Sequence, residues 1–155
     1  MPSLVIDRDD PRRDDVRALL ESHLAFAAAQ SPREHVHALD GDGLTADGIT
    51  FFSIRSDGVL LGVGALKEIE PGHGEIKSMH TAAFARGQGV GRAMVEHLLA
   101  TARQRGYHRV SLETGTMDAF APARSLYAFM GFVECPPFAG YWENEYSVCM
   151  TLELD

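Results

Sequence analysis

Between Ala85 and Gly106 the chain reads "ARGQGVGRAMVEHLLATARQRG". Gly87, Gly89 and Gly91 alternate, and an amphipathic helical pattern starts at once: Met94, Val95, Leu98, Leu99 and Ala102 fall on one face, and Gly106 stops it. Glycines add nothing to a core at that place. Before a helix they let backbone N–H groups converge on an anion, and the partial positive charge of the helix N-terminus reinforces them. The stretch therefore dictates a strand, a tight anion-binding turn and a helix packed on a sheet. Spacing rules out two common phosphate cradles. The dinucleotide pattern G-x-G-x-x-G fails because Arg92 follows Gly91, and the Walker A ending Gly-Lys-Ser/Thr is absent.

The rest of the chain fits an alternation of strands and helices. "SLVID" (Ser3 to Asp7) predicts a strand. Asp10-Pro11 predicts a helix start, with Asp as cap and Pro at the first helical position, and Val16, Leu19, Leu20, His23, Leu24 and Ala27 recur at helical spacing. "SPRE" (Ser31 to Glu34) reads as a capping box, so a second short helix is expected to run to Asp40-Gly41. Ile49 to Arg55 and Val59 to Ile69 form a hairpin about "SDG", with Gly62 and Gly64 as weak spots. After a turn at "PGHG", Glu75 to Thr81 is a third strand of this group. Arg109 to Glu113, a helix from Pro122 to Met130, and strands at Phe132 to Cys135 and Tyr146 to Leu154 complete the order. This is one mixed α/β domain spanning residues 1–155.

Charge and composition exclude several functions. The net charge of −8 argues against a nucleic-acid binder. Against that background Arg86, Arg92, Arg103, Arg105 and Arg109 cluster near the glycine loop. Arg103 and Arg105 read as a solvated helix face, Arg86 and Arg92 as neighbours of a small anionic ligand. No apolar run approaches the roughly 18 residues of a membrane span. "MPSLVIDRDD" lacks the basic and apolar regions of a signal peptide, and Cys135 and Cys149 form no C-x-x-C pair and read as reduced thiols, so a cytoplasmic protein is expected. His35 and His37 form an H-x-H pair that no Cys or carboxylate cluster completes, so no metal site is assigned. "DGDGLTADGITF" opens like a calcium loop, but Thr45 and Phe51 stand where Gly and Glu are required.

Arg86-Gly87-Gln88-Gly89-Val90-Gly91 does fit R/Q-x-x-G-x-G/A. With "MHT" before it, the helix after it and "ARSLYAFMGF" further on, the chain resembles the GNAT superfamily of N-acetyltransferases over nearly its whole length. The resemblance implies a GNAT fold: a central, mostly antiparallel mixed sheet of about six to seven strands flanked by about four helices. It implies acetyl-CoA as co-substrate, with the pyrophosphate on the backbone N–H groups of Gly87, Gln88, Gly89, Val90, Gly91 and Arg92, and Arg86 among the cofactor-binding residues. Backbone groups of Met79 and Thr81 would pair with the pantetheine arm, and the acetyl group would lie where the strands at Thr81 and Glu113 part. Tyr127 matches the tyrosine that often protonates the departing thiolate; its other reading is core packing with Ala123 and Met130. Where members often carry Asn, seven residues before that tyrosine, this chain has Phe120, so no CoA contact is assigned there.

Acetyl transfer to an amine needs a base for the ammonium, donors for the oxyanion and an acid for the thiolate. Glu75 stands eleven residues before Arg86, the offset of a glutamate base in histone-modifying relatives. Its other reading is a carboxylate at a strand start facing water. His80, Glu113 and an ordered water remain alternatives. His23, Phe26, Gln30, His35, His37, Phe138, Tyr141 and Trp142 would wall the acceptor, which suggests a compact, partly apolar small-molecule amine, an amino acid or a peptide end. The expected activity is direct acetyl transfer from acetyl-CoA; the alternative is a non-catalytic acyl-CoA-binding sensor. A homodimer is compatible with either.

Overall fold

The computed structural model describes residues 3–30 and 43–154. Within them the chain runs β1 (Val5–Arg8), α1 (Asp14–Gln30), β2 (Ile49–Ser56), β3 (Val59–Glu70), β4 (His73–Thr81), α2 (Val90–Gln104), β5 (Arg109–Gly115), α3 (Ala121–Phe129), β6 (Val133–Cys135) and β7 (Ser147–Glu153). Single helical turns stand at Gly43–Thr45, Ala83–Ala85 and Asp118–Phe120. The seven strands form one sheet in the order β1-β2-β3-β4-β5-β7-β6. Only β4 and β5 run parallel; every other neighbour is antiparallel. This is the mixed, mostly antiparallel sheet that the sequence implies. Three α-helices lie among the described residues; the short helix expected from Ser31, with His35 and His37, falls outside them.

Both faces of the central strands are covered, which explains why "FFSI" and "LLGVGAL" read as near-continuous apolar runs. Phe51, Val63 and Ala65 point to one face, where Val16 and Leu20 of α1 and Leu44 cover them. Phe52, Ile54 and Leu66 point to the other, into the larger cluster with Val90, Met94, Val95, Leu98 and Tyr127 of α2 and α3. Gly64 is no weak spot: a Cβ there would stand 2.7 Å from Met94 Cγ and 2.9 Å from Met79 Sδ. Its lack of a side chain is what lets α2 lie against the sheet.

Most boundaries move by one or two residues, and two of the differences have a visible cause. α1 begins at Asp14 rather than at Pro11. The Asp10 carboxylate accepts the Arg12 backbone N–H at 2.9 Å, and Arg13 N–H bonds to Asp10 O at 3.1 Å, so Asp10 closes a turn instead of capping the helix. Asp14 and Asp15 then supply negative charge in the first helical turn. At the other turn, β4 begins at His73 within "PGHG", because Glu70 and His73 pair directly across a shorter connection.

Candidate active site

β4 decides where the site lies. It pairs with β5 from His73↔Arg109 to Ile76↔Leu112 and no further. On its other edge it stays paired with β3 as far as Thr81↔Gly62, while β5 stays paired with β7 as far as Gly115↔Ser147. Beyond Ile76 the sheet therefore splits between two strands that are each held from behind. Register shows how β4 turns away: Val63 pairs with His80 and Ala65 with Lys77, so β4 carries one extra residue. That bulge holds Ser78 at φ 57° with its hydroxyl buried and unpartnered. The split opens into a cleft of about 660 Å³. Its walls include Glu75 to Thr81, Arg86, Gly87, Gly89 to Arg92, Glu113 to Gly115, Phe120, Leu126, Tyr127, Tyr141 and Tyr146, with His23 and Phe26 from α1.

At one end of the cleft stands the glycine loop. Gly87 has φ 77° and Gly89 φ 80°, a region costly to any other residue, and Gly89 is the residue before α2. A Cβ at either would meet nothing within 4 Å, so no neighbour demands glycine there; the backbone turn and open approach do. The first helical bond is Ala93 N–H to Gly89 O at 3.0 Å, leaving the N–H groups of Val90, Gly91 and Arg92 as the ones a helix start cannot satisfy internally. Gly91 is different: Leu126 of α3 would stand 3.2 Å from its Cβ, so this glycine admits the second helix. The Gln88 side chain donates to Phe84 O at 3.1 Å, and Arg92 pairs with Glu96 at 3.0 Å over the Phe129 ring. Those contacts brace the turn and the first turn of α2.

At the other end three polar side chains meet. Glu75 is 3% exposed, which corrects the picture of a carboxylate facing water. Its Oε2 accepts from the Tyr141 hydroxyl at 2.5 Å and from Lys77 Nζ at 3.3 Å, and Lys77 Nζ also donates to the Tyr141 oxygen at 2.9 Å. Burial first, then the Glu75 and Glu113 carboxylates, push the Tyr141 phenol far above its ordinary range, so it stays a donor. His80 faces His23 of α1, Nδ1 to Nδ1 at 3.3 Å. Burial pushes both imidazoles down to about 4, with mutual repulsion and Arg86 adding to the shift of His80, so both are neutral and weakly basic at neutral pH.

Tyr127 comes from α3. It is 5% exposed, edge-on to Phe132 at 5.9 Å, and its hydroxyl is pushed up by burial. It belongs to the core and lines the cleft as well, so the two roles weighed from sequence are compatible. Phe120 fills the place of the family's Asn: its ring packs edge-on to Phe26 at 5.2 Å and lies against Gly115, where a Cβ would stand 2.2 Å from Cδ2. Arg124 binds Gly115 O and Met117 O at 2.7 and 2.9 Å, holding this corner by charge-assisted bonds that the sequence reading did not foresee.

Of the expected acceptor wall, His23, Phe26 and Tyr141 line the cleft. Phe138 stands behind Tyr141, ring to ring at 5.2 Å, and Trp142 is largely exposed. Gln30 lies outside the cleft wall. Lys77 and Tyr146 were missed: a lysine two residues from a glutamate on a strand looks like a solvated pair until both are buried. Arg105, read as solvated, donates to Thr50 Oγ1 at 2.8 Å, and Arg109 pairs with Glu153 at 2.7 Å. No group of three or more His, Cys, Asp or Glu among the described residues could hold a metal ion, and no helix among them is long and apolar enough to cross a membrane.

Comparison with known proteins agrees with this geometry. The model of the Acetyltransferase (GNAT) family matches residues 16–132. The chain is 45% identical to "Uncharacterized N-acetyltransferase YsnE" of Bacillus subtilis (strain 168), covering 94% of this chain and 97% of that protein. It is 34% identical to the IAA acetyltransferase of Azospirillum brasilense, over 99% of this chain and 100% of the relative. Its fold matches the structure of a Bacillus subtilis acetyltransferase in complex with CoA at a TM-score of 0.73, with 19% identity and 98% and 99% of the two chains covered. A split sheet, a glycine turn at the start of α2 and relatives named throughout as acetyltransferases lead to one conclusion: this chain is an N-acetyltransferase enzyme and belongs to the GNAT family.

Proposed function

We propose that the enzyme moves an acetyl group from acetyl-CoA directly to the amine of a small molecule, an amino acid or a peptide end. In this reading the N–H groups of Gly87 to Arg92 receive the pyrophosphate, as the helix start and the Gly87–Gly89 turn favour. The β4 edge from Lys77 to Thr81, which among the described residues has no strand beside it on the cleft side, takes the pantetheine amides through the backbone of Met79 and Thr81. The observation that carries the proposal is the end of β4–β5 pairing at Ile76↔Leu112. It puts a free strand edge, the glycine turn, Glu75 and Tyr127 on one cleft. The CoA complex of the Bacillus subtilis neighbour supports the same occupant.

Glu75 is the base in this reading. It lines the cleft as a carboxylate whose two hydrogen bonds fall on Oε2, whereas the rival His80 is engaged through Nδ1 with His23. Glu113 lines the opposite strand and supplies a second negative charge that attracts a cationic amine. Tyr127, protonated at every working pH, gives its hydroxyl proton to the departing sulfur. His23, Phe26 and Tyr141 line the acceptor end with aromatic rings beside the Glu75 carboxylate. The net charge of −8 favours a small acceptor over nucleic acid and a cytoplasmic setting suits the two thiols. The two apolar clusters share β2 and β3, which supports reading residues 1–155 as one catalytic domain.

The test is release of free CoA thiol from acetyl-CoA in the presence of a panel of primary amines, amino acids and short peptides. Saturable, amine-dependent release with stoichiometric N-acetylated product is expected. Thiol release that no amine accelerates would overturn the proposal.

A further inference from the structure

In sequence Cys135 and Cys149 look unrelated. The fold cancels their separation: β6 pairs antiparallel with β7 and sets Cys135 directly opposite Cys149. Side chains of such a pair stand on one face with Cβ atoms about 4.5–5.5 Å apart. Their Cα atoms are about 4.5 or 5.5 Å apart, depending on the kind of pair, and both values lie within the roughly 4.4–6.8 Å that a disulfide spans. Both are free thiols, Cys135 half-buried and Cys149 buried, and Cys135 is among the groups that raise the Cys149 thiol, to about 11.

Cys149 is also wired to the acceptor end of the cleft. On its other side its register partner is Glu113. The backbone of Phe138 bears on the Cys149 thiol and lowers it, against the larger effect of burial. The Phe138 ring lies edge-on to Tyr141 at 5.2 Å, and Tyr141 donates to Glu75. From the other cysteine, Pro136 and Pro137 form a stiff link to the same Phe138. We propose that Cys135 and Cys149 form a reversible cross-strand disulfide, a modification site through which oxidation shifts Phe138 and Tyr141 and so retunes the acceptor end. The consequence for turnover rests on the role proposed for Glu75; the bond itself does not.

The coupling has a mechanical source. Disulfide Cβ atoms lie about 3.5–4.5 Å apart, roughly 1 Å closer than in the unlinked pair. β6 is a three-residue edge strand whose one strand neighbour among the described residues is β7, so it gives way first and pulls the Pro-Pro link with it. The Cys149 sulfur meanwhile turns toward Cys135, its register partner.

The oxidant is a low-molecular-weight disulfide. Cys135, the more accessible, attacks as a thiolate: its sulfur bonds to one sulfur of the oxidant and the other leaves as a small thiolate. Cys149 then loses its proton to solvent and attacks the Cys135 sulfur, expelling the second small thiolate. The protein gives up two protons and two electrons, and the small disulfide becomes two thiols. Burial raises both cysteines above their ordinary range, so the reaction quickens as pH rises.

To test this, the full chain is incubated with oxidised glutathione at alkaline pH, then denatured, alkylated and weighed. The expected product has lost two hydrogens, takes up no alkyl groups and stays monomeric on non-reducing gels; a reductant restores two alkylations. Emission of the single tryptophan, Trp142, next to Tyr141, shifts on oxidation and returns on reduction. Amine-dependent turnover falls several-fold and recovers with reductant. Glutathione left on Cys135 with Cys149 still alkylatable, disulfide-linked dimers, or two untouched thiols would refute the bond. A bridge that forms while Trp142 emission and turnover stay unchanged would refute the coupling. Cys135→Ser, at the half-buried position, should fold and keep its turnover under the oxidant; equal loss in that variant would also overturn the proposal. If the reduced protein acetylates no amine, the mass and Trp142 readouts still decide the inference on their own.

Discussion

The facing histidines make a quantitative prediction about pH. His23 and His80 touch through Nδ1 at 3.3 Å. One Nδ1 must carry a proton and the other must not, so the contact excludes a doubly charged pair. Each imidazole falls from 6.5 to about 4 on folding. The unfolded chain therefore binds more protons between those values, and stability must fall as pH drops through that window. For His23 the loss between pH 7 and pH 5 is about 1.8 kcal/mol by linkage. His80 is more open to solvent and adds roughly half of that. The sum, about 2–3 kcal/mol, lowers the urea midpoint by roughly 1–1.5 M for an m-value near 2 kcal/mol/M. His97, lowered by burial with its Nε2 unpartnered, acts with the same sign. Asp9 and Asp15 do not confuse the result. Their carboxyls sit below 3.8, so their contribution is intact above 3.8 and is lost only as pH falls through their folded values. Equilibrium urea unfolding at pH 7 and pH 5, at constant ionic strength, is the assay, with a His23→Gln, His80→Gln double variant as control. An unchanged midpoint in the parent, or an equal loss in the double variant, would refute the argument.

Three further variants probe the cleft. Glu75→Gln keeps an oxygen for Tyr141 and Lys77 but leaves the lysine, 9% exposed at its side chain, beside a neutral amide. About 1–3 kcal/mol of stability should go, and turnover per folded molecule should fall roughly 10²-fold or more at neutral pH and less as the acceptor amine deprotonates; a loss uniform in pH would assign Glu75 to structure. Tyr127→Phe removes the hydroxyl from a packed ring, so melting temperature and acetyl-CoA affinity should hold while kcat falls at least about tenfold, or 1.4 kcal/mol of barrier. Parental kcat would return Tyr127 to the core alone. Gly89→Val, at φ 80°, should fold with a cost of about 1–2 kcal/mol. It should lose the roughly 2.7 kcal/mol of thermal stabilisation that acetyl-CoA at about 100 times Kd confers on the parent; an undiminished ligand shift would place the phosphate elsewhere.

What could be read from the sequence was local. α2 announced itself because its stripe from Met94 to Ala102 and the glycines before it lie within twenty residues, and both turn chemistry and periodicity act at that range. The strand order around "SDG" followed for the same reason, since Asp57 and Gly58 both take the positive φ that a tight hairpin needs. The Asp10 error was also local: one Asp can cap a helix or close a turn, and its contact with Arg12 chose the turn. The rest depended on pairings between distant segments. Tyr141 reaches Glu75 across 66 residues and His23 reaches His80 across 57, and no periodicity encodes either. The bulge at Ser78 is set by register against β3, not by its own residue type. Cys135 and Cys149 become neighbours only once β6 folds back on β7.

In the proposed reaction acetyl-CoA lies in the gap beyond Ile76↔Leu112 during transfer. A crystal structure of the acetyl-CoA complex measures this directly. Pyrophosphate oxygens are expected within about 3.2 Å of N–H groups between Gly87 and Arg92, and pantetheine amides on the β4 backbone at Met79 and Thr81. The thioester is expected between that edge and Glu113, with Tyr127 at the sulfur. Acetyl-CoA bound with its phosphates away from the glycine turn, or with β4 and β5 zipped shut beyond Leu112, would contradict this placement.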